Sequence, residues 1–185
     1  MRIFQFLLFF SLFLPLYSLD FKHTQYRVRE GKVIFTSTTS KLVFKGIGKT
    51  VNGNVDLKNR KVFISVVLDD FRTGIKNRDD HMKENYLETH LYPKAEFNGS
   101  ISKMDEKSGE AEATGILSIH GIEKKNTILK GILKENGNGF SLNTGFSLRL
   151  NDFNIEIPKL VILELNNEII LDIHLEFEPL TNSPQ

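Results

Sequence analysis

The sequence predicts an all-β fold, a closed antiparallel barrel of about eight strands with a short helix or ordered loop near residues 77–88. Apolar and polar residues alternate in several segments, which is typical of strands that bury one face. Turns rich in Gly and Asn separate these segments, so neighbouring strands are expected to be antiparallel. Such strands must close or stack, because open sheet edges promote aggregation.

The composition is that of one globular domain with a substantial core. The chain has 185 residues, of which 40% are hydrophobic. Apart from Arg2, the only charge in residues 1–18, it carries 23 basic and 23 acidic residues. A balanced chain creates no general field for nucleic acid, so we expect no nucleic-acid partner. The absence of cysteine excludes disulfides, thiolate metal sites, a cysteine nucleophile and lipid attachment at cysteine.

Residues 1–18 have the order of a secretory signal peptide. Arg2 gives a positive start, residues 3–17 are mostly apolar, and Ser18 is a small residue suited to a cleavage point. An uncleaved membrane anchor is the alternative, but a spanning helix needs about 20 apolar residues. We therefore expect cleavage near Ser18 and a periplasmic or secreted location. The barrel is predicted over residues 19–180, with a disordered tail over residues 181–185.

Strand candidates recur along the whole mature chain. In chain order they cover residues 32–37, 42–45, 53–57, 62–68, 94–102, 112–120, 127–134, 140–150 and 168–177. The turns that separate several of them lie at residues 56–60, 105–109, 136–139 and 166–167. Gly and Asn tolerate the positive φ that tight hairpins need. The alternation is clearest in residues 168–177, where only Ile170 breaks it.

Apolar residues at the inward positions form the predicted interior. They are Phe71, Met82, Leu87, Phe97, Leu117, Ile119, Phe146, Leu148, Phe153, Leu171, Ile173 and Leu175. The interior of an eight-stranded barrel is wide enough for side chains alone or for one small ligand. The pattern by itself is therefore equally compatible with a filled core and with a lipid-lined cavity.

Residues 77–87 carry charge without alternation and are predicted to form a short helix or ordered loop. The densest polar cluster of the chain lies there and runs from Arg78 to His81. One interpretation is a lid or mouth that recognises a polar head group, in which Arg78 suits a phosphate. The structural alternative is that Asp79 caps a helix beginning near it and that Arg78 pairs with a neighbouring carboxylate.

Three ordered motifs resemble those of the YceI-like family of exported, lipocalin-like barrels that bind polyisoprenoid lipids. The first is FRTGIKNRDDHMKENYLETHLYPKAEF over residues 71–97, with the elements T-G-x-x-x-R-D-x-H-[LM] and Y-P-x-x-x-F. The second is GILSIHGIEK over residues 115–124, and the third is RLNDFNI over residues 149–155. Asn154 stands where the family has a glycine, and Glu123 stands where it often has threonine.

The resemblance implies a lipocalin-like barrel whose apolar lumen holds a long isoprenoid chain, with no cofactor and no catalytic group. The lipid partner would be a polyisoprenoid or another long-chain amphiphile, and membrane contact would be transient, for lipid exchange. The sequence leaves open whether the protein forms a homodimer. The predicted ligand-binding residues are Phe71, Arg78, His81, Met82, Leu87, Phe97, Leu117, Ile119, Phe146, Leu148, Phe153, Leu171 and Ile173.

Two other functions compete with lipid binding. One is a small hydrolase or isomerase that acts on an apolar substrate through His81 or His120, two motif residues that could meet in space. The sequence has neither the G-x-S-x-G element of a serine hydrolase nor an H-x-x-x-H pair, so a metal site is not expected. The other is a stress-related barrel with a filled core that binds a protein partner.

Overall fold

The computed structural model describes residues 19–160 and 163–180. The predicted signal peptide (residues 1–18) and the predicted disordered tail (residues 181–185) lie outside the described residues. Strands dominate the rest of the chain, as the alternation predicts.

The described strands follow one another mostly through tight turns. They are β1 (Gln25–Thr38), β2 (Val43–Gly48), β3 (Val51–Asp56), β4 (Lys61–Val67), β5 (Lys94–Met104), β6 (Glu110–Ile119), β7 (Ile122–Asn136), β8 (Gly139–Arg149), β9 (Lys159–Leu160), β10 (Leu163–Glu164) and β11 (Glu168–Pro179). The helical elements are α1 (Lys76–His81), the π-helical turn Met82–Tyr86 and the 3₁₀ turns Leu68–Asp70 and Leu150–Phe153. The predicted helix or ordered loop is thus a helix that ends at the segment's aromatic residue Tyr86.

Eight strands close into an antiparallel barrel, which confirms the predicted fold class. Hydrogen-bonded neighbours follow the order β1–β3–β4–β5–β6–β7–β8–β11, and β11 returns to pair with β1. The extra strand β2 pairs with the C-terminal half of β1, and β3 pairs with its N-terminal end. Both therefore lie along the same edge of β1, one after the other. The short β9–β10 hairpin was not predicted, since two-residue strands are too short to show alternation.

The predicted faces of the strands are also the observed ones. On β11, Leu175 and Phe177 are buried in the barrel, whereas Ile170, the residue that broke the alternation, points outward and is 48% exposed. Cross-strand partners lie on the same face of a sheet, and Leu171 is in register with Phe146 of β8. A local period of two therefore assigned most inward side chains correctly.

A two-residue turn joins β6 to β7 within the motif of residues 115–124, where the family resemblance implies a strand and a turn, although it was not among the turns predicted from Gly and Asn. His120 and Gly121 both have positive φ, 51° and 74°, between the paired residues Ile119 and Ile122. This is the backbone pattern that a tight hairpin of the twisted type favours. The usual sequence signal for such a turn is Asn-Gly or Asp-Gly. His-Gly supplies the glycine but not the preceding Asn or Asp.

The barrel wall splits on one side, between β7 and β8. Their ladder runs from Asn136–Gly139 to Gly131–Thr144 and stops there. Beyond that point, residues 122–130 of β7 pair with β6, and residues 145–149 of β8 pair with β11. The Thr144 hydroxyl donates to the carbonyl of Lys130 at 2.6 Å and closes the paired part. We call residues 122–130 of β7 and residues 145–149 of β8, which do not pair with each other, the seam.

Candidate functional site

The barrel is hollow, which answers the question that alternation left open. A cavity of about 740 Å³ lies inside it, and its wall is made almost entirely of apolar side chains. This volume is within the range of roughly 300–1,000 Å³ that is usual for pockets holding small ligands. The competing interpretation, a barrel with a filled core, is therefore wrong for this structure.

One end of the cavity is closed by aromatic rings, and we call this end the base. Tyr26, Phe140 and Phe177 are each at most 4% exposed. The ring of Phe140 stacks on that of Phe177 at 4.6 Å between centroids and meets that of Tyr26 edge-on at 4.9 Å. The ring of Phe21 also packs edge-on against that of Phe140, at 5.5 Å between centroids. Offset and edge-on pairs of this kind are the favourable aromatic geometries.

Burial at the base affects the one hydroxyl among these rings. Desolvation raises the pKa of Tyr26 above its ordinary value, and a hydrogen bond from the backbone N–H of His23 opposes this rise. That bond is 3.2 Å long. The buried tyrosine therefore remains a neutral, hydrogen-bonded part of the closure well above neutral pH.

The opposite end carries α1, and we call it the mouth. Ile75, Asn77 and His81 line the cavity and are also exposed, so the cavity reaches the surface beside this helix. The guanidinium of Arg78 lies over the ring of Phe44 from β2 at 4.5 Å, which is a cation–π distance. This contact joins the helix to the β1–β2 hairpin across the cavity opening.

Arg78 and Asp79 are both anchored by Thr73 rather than by each other. Arg78 donates from Nε to the Thr73 hydroxyl at 2.8 Å and from Nη2 to the Thr73 carbonyl at 3.0 Å. The backbone N–H of Thr73 donates to Asp79 Oδ1 at 2.7 Å, and the Thr73 hydroxyl donates to the same oxygen. Asp79 lies inside α1, so the predicted roles of helix cap for Asp79 and carboxylate partner for Arg78 are wrong in detail.

Opposing effects act on the ionisation of Asp79. Burial raises its pKa, but the hydrogen bonds from Thr73 and the charges of Arg72 and Arg78 outweigh burial and leave the pKa below its ordinary value. The carboxylate is therefore ionised at neutral pH and holds the loop before α1. Arg78 keeps N–H donors beyond those used on Thr73, and it has no carboxylate within ion-pair distance among residues 19–158 and 165–180.

Ser37 places an unsatisfied hydroxyl in the cavity wall near the mouth. It is 1% exposed, and its Oγ has no hydrogen-bond partner within the described part of the chain. It is in register with Phe44, the residue whose ring lies under Arg78. A buried hydroxyl without a hydrogen-bond partner is unfavourable in free energy. An oxygen of a bound molecule that accepts a hydrogen bond from it would remove this penalty. Sequence reasoning missed Ser37, although it follows the inward positions Val33 and Phe35 by the same period of two.

The structure places twelve of the thirteen predicted site residues on the cavity wall. Phe153 is the exception, because it is 3% exposed within a packed cluster at the mouth end and does not line the cavity. Residues that line the wall but were not predicted include Phe35, Ser37, Phe44, Ile75 and Thr144. Alternation indicated Phe35, whereas Phe44 and Ile75 belong to segments that show too little alternation to assign.

The two motif histidines have separate surroundings. His81 makes its hydrogen bond to Asn85 on the next helical turn, at 3.2 Å. His120 is buried, contacts Glu88 Oε2 at 2.9 Å through Nε2 and the Phe153 carbonyl at 3.1 Å through Nδ1, and packs on the ring of Tyr92. His120 thus joins residues from all three sequence motifs, which is a structural role. Asn154 adopts φ 54°, a left-handed conformation that a glycine also accepts.

The described residues hold no group of three or more His, Cys, Asp or Glu side chains that could bind a metal ion. Within the same part of the chain, no helix is both long and apolar enough to cross a membrane. What the geometry offers is an apolar cup with a cationic, hydrogen-bonding mouth. Such a site can enclose a hydrocarbon chain and keep a polar head group near Arg78.

The cavity has a second contact with the surface, at the seam. Lys130 of β7 and Glu112 of β6, whose side chains lie on the outer face of the sheet, also border it. Leu129 on β7 and Phe146 on β8 border it from the two unpaired segments. At the seam, therefore, a loss of pairing between neighbouring strands coincides with the cavity.

A family model described as the YceI-like domain matches residues 17–177 of the chain. None of the curated proteins matches the sequence.

Several solved structures share the fold at low sequence identity. A polyisoprenoid-binding domain from Saccharophagus degradans, described as implicated in plant cell wall breakdown, has a TM-score of 0.71 at 16% identity, with 83% of this chain and 98% of that chain covered. BcnA from Burkholderia cenocepacia has a TM-score of 0.66 at 18% identity, with 79% and 95% covered. A YceI protein from Campylobacter jejuni has a TM-score of 0.51 at 14% identity, with both chains fully covered. At these identities the likeness establishes the fold.

Proposed function

This chain belongs to the YceI-like domain family, and from that premise we propose that it is a non-catalytic carrier that holds a polyisoprenoid or similar long-chain amphiphile inside its barrel. The observation that carries the proposal is the apolar cavity of about 740 Å³, closed at the base and reaching the surface at the mouth. A structurally similar domain from Saccharophagus degradans is described as polyisoprenoid-binding, which supports the same class of ligand.

The free energy of binding would come mainly from the hydrocarbon chain. Apolar area removed from water contributes roughly 25 cal/mol per Å², so a long isoprenoid tail gains much by entering an apolar cavity. The cavity wall offers few hydrogen-bonding groups that could hold water in place of such a tail. A ligand with an extended apolar part is therefore a better occupant than a small polar metabolite.

The head group of the ligand would lie at the mouth. Arg78 supplies N–H donors and a positive charge, and it forms no direct ion pair with a carboxylate of residues 19–158 and 165–180, although the ionised Asp79 lies nearby. Ser37 supplies a buried hydroxyl that lacks a partner in the described structure. Both features favour a head group with oxygen acceptors, and a phosphate is the one to which Arg78 is best suited.

The carrier would act outside the cytoplasm, for transport or storage of the lipid. Residues 1–18 have the order of a signal peptide, and a cleaved, exported protein would operate in the periplasm or be secreted. A sheathed isoprenoid can cross an aqueous compartment without exposing its tail. Neither task requires a catalytic group.

The direct test is to find what occupies the cavity. The protein is purified under native conditions, extracted with organic solvent, and the extract is analysed by mass spectrometry. We expect a stoichiometric long-chain lipid, and we expect apo protein to take up added isoprenols and isoprenyl phosphates. A protein that is repeatedly empty and has no affinity for either compound would contradict the proposal.

A matched pair of variants on β11 gives the test its control. Leu171 lines the cavity, and its neighbour Ile170 points outward. We expect Leu171→Arg to unfold the barrel or abolish lipid retention, because an unpaired charge would be buried at a cost of several kcal/mol. Ile170→Arg should keep both the fold and the lipid. Normal folding and lipid content in Leu171→Arg would mean that the lumen face is assigned wrongly.

A further inference from the structure

Exposed apolar side chains are grouped beside the mouth. Val43 is 67% exposed, and Leu42 and Ile75 are each 54% exposed. Leu42 and Val43 belong to the β1–β2 hairpin, and Ile75 immediately precedes α1. We call these three residues, together with Lys41 and Lys45, the rim.

The rim is continuous with the cavity. Phe44, the residue after Val43, lines the cavity and carries the guanidinium of Arg78 over its ring at 4.5 Å. Ile75 lines the same cavity from the side of the helix. A hydrocarbon chain that leaves or enters through the mouth therefore passes over an apolar surface and not over open water.

The charge of the rim is one-sided, although the whole chain is balanced. No acidic residue occurs between Glu30 and Asp56, whereas four lysines do, and they are Lys32, Lys41, Lys45 and Lys49. None of these four forms an ion pair with a described residue. In the fold, Asp70 accepts from the backbone N–H groups of Lys49 and Thr50, and Asp80 pairs with Lys76. The positive charge of the rim is therefore that of Lys41 and Lys45 on the hairpin, which suits an anionic surface.

We propose that the rim docks transiently on an anionic lipid surface and presents the mouth to the bilayer. The inference rests on the proposed function, since docking serves the exchange of a lipid. Apolar side chains would enter the boundary between head groups and acyl chains, and the lysines would meet the anionic head groups. On β2 itself Val43, Lys45 and Ile47 share the outward face, so apolar and basic contacts alternate along one strand.

The outer surface beside the seam is the alternative place for membrane contact. The proposal can therefore be tested by comparing labels at the two places. Ile128 on β7 is 54% exposed, the same fraction as Leu42 and Ile75, but it lies on the outer face beside the seam. Lys107 lies in an exposed turn at the base end. The chain has no cysteine, so single labels can be introduced at each place without interference.

The experiment attaches an environment-sensitive fluorophore to Val43→Cys, Ile128→Cys or Lys107→Cys in the full chain. Each protein is titrated with vesicles of equal parts phosphatidylglycerol and phosphatidylcholine, and with vesicles of phosphatidylcholine alone. We expect the label at position 43 to become brighter and blue-shifted with the anionic vesicles only, and the other two labels to stay unchanged. Residues 1–18 are common to all three proteins, so their own affinity for lipid cannot produce this difference between positions.

A second measurement isolates the charge. In the Val43→Cys background, Lys41→Gln with Lys45→Gln should raise the lipid concentration at half-response by about 25-fold, from roughly fivefold per lysine. Lys107→Gln with Lys134→Gln is the matched control and should change it little.

Each contrary result has a definite meaning. A response at position 128 and none at 43 would place docking at the seam and overturn the proposal, as would no response at 43 or an equal response to neutral vesicles. Lipid binding in solution without a response at position 43 would contradict docking alone. A response at 43 by a protein that binds no isoprenoid would instead contradict the proposed function.

Discussion

The two ends of the barrel are built from different interactions. At the base, Tyr26, Phe140 and Phe177 are almost completely buried and their rings are in contact. At the mouth, Val43 and Ile75 are mostly exposed. Arg78 connects the short helix to the hairpin only through its contact with the ring of Phe44, since its two hydrogen bonds go to Thr73 in the loop before the helix. The base therefore resembles an ordinary protein core. A second packed cluster, around Phe153, lies at the mouth end, but the opening itself, between α1 and the β1–β2 hairpin, is bordered by exposed apolar side chains.

This difference suggests that the base mainly stabilises the fold and that the mouth mainly admits the ligand. Close packing at the base can supply much of the free energy of folding, because buried aromatic side chains contribute most per residue. The mouth can then change position at little cost in stability, since elements with few buried contacts open more easily. The lumen is a cup whose closed end holds the fold and whose open end receives the ligand.

The largest expected effect on stability is at the base. Phe140→Ala removes a 3% exposed ring that packs on three others, and we expect a loss of about 3–5 kcal/mol in the free energy of unfolding. The matched change at the mouth, Phe44→Ala, removes a half-buried ring and should cost about 1 kcal/mol. Chemical denaturation of both variants measures the difference. Equal losses would show that the mouth is as important for stability as the base.

Arg78 should affect ligand binding more than stability. Arg78→Met keeps much of the side-chain volume but removes the charge and the donors, and we expect affinity for an isoprenyl phosphate to fall about tenfold. Affinity for the uncharged isoprenol should change much less, and the free energy of unfolding should fall by only about 1 kcal/mol. Fluorescence titration with the two ligands distinguishes these outcomes. An equal loss for both ligands would mean that Arg78 shapes the mouth and does not contact the head group.

The smallest expected effect is the alkaline response of the base. Burial raises the pKa of Tyr26, so the unfolded chain ionises before the folded one as the pH increases. The stabilisation is fully present below the ordinary tyrosine pKa of about 10 and is lost as the pH rises from there through the folded pKa. Tyr26→Phe should be about 1 kcal/mol less stable at neutral pH, where it lacks the bond from His23, and should show a weaker alkaline decline. Parallel pH curves for the two proteins would exclude this role of Tyr26.

Much of the fold could be predicted from the sequence because its signals are local. Residues 168–177 alternate with a period of two, and that period alone identified Leu171 and Ile173 as inward and left Ile170 as the exception. The charged, non-alternating segment was predicted to be a short helix or an ordered loop, and it forms the only α-helix among the described residues. Twelve of the thirteen predicted site residues lie on the cavity wall, those on strands because of this alternation and Arg78 and His81 because the charged segment lies at the mouth.

The sequence could not identify contacts between segments that are distant in the chain. Gly46 and Gly48 show what was missed, because a Cβ on Gly46 would lie 2.1 Å from the ring of Phe35, and one on Gly48 would lie 2.9 Å from the ring of Phe71. These two glycines make room for rings that line the cavity. The pairing of His120 with Glu88 depends in the same way on two loops that meet only in the folded barrel.

The sequence by itself determined that this protein is built from antiparallel strands that must close or stack, with one charged segment that does not alternate, and which side of most strands faces inward. Those features follow from side-chain alternation and turn residues, which are properties of neighbouring positions. Only the tertiary structure decided that the barrel is hollow, that its base is closed and that its wall splits between β7 and β8. Cavity volume and strand pairing depend on how all the strands fit together, and no single segment encodes them.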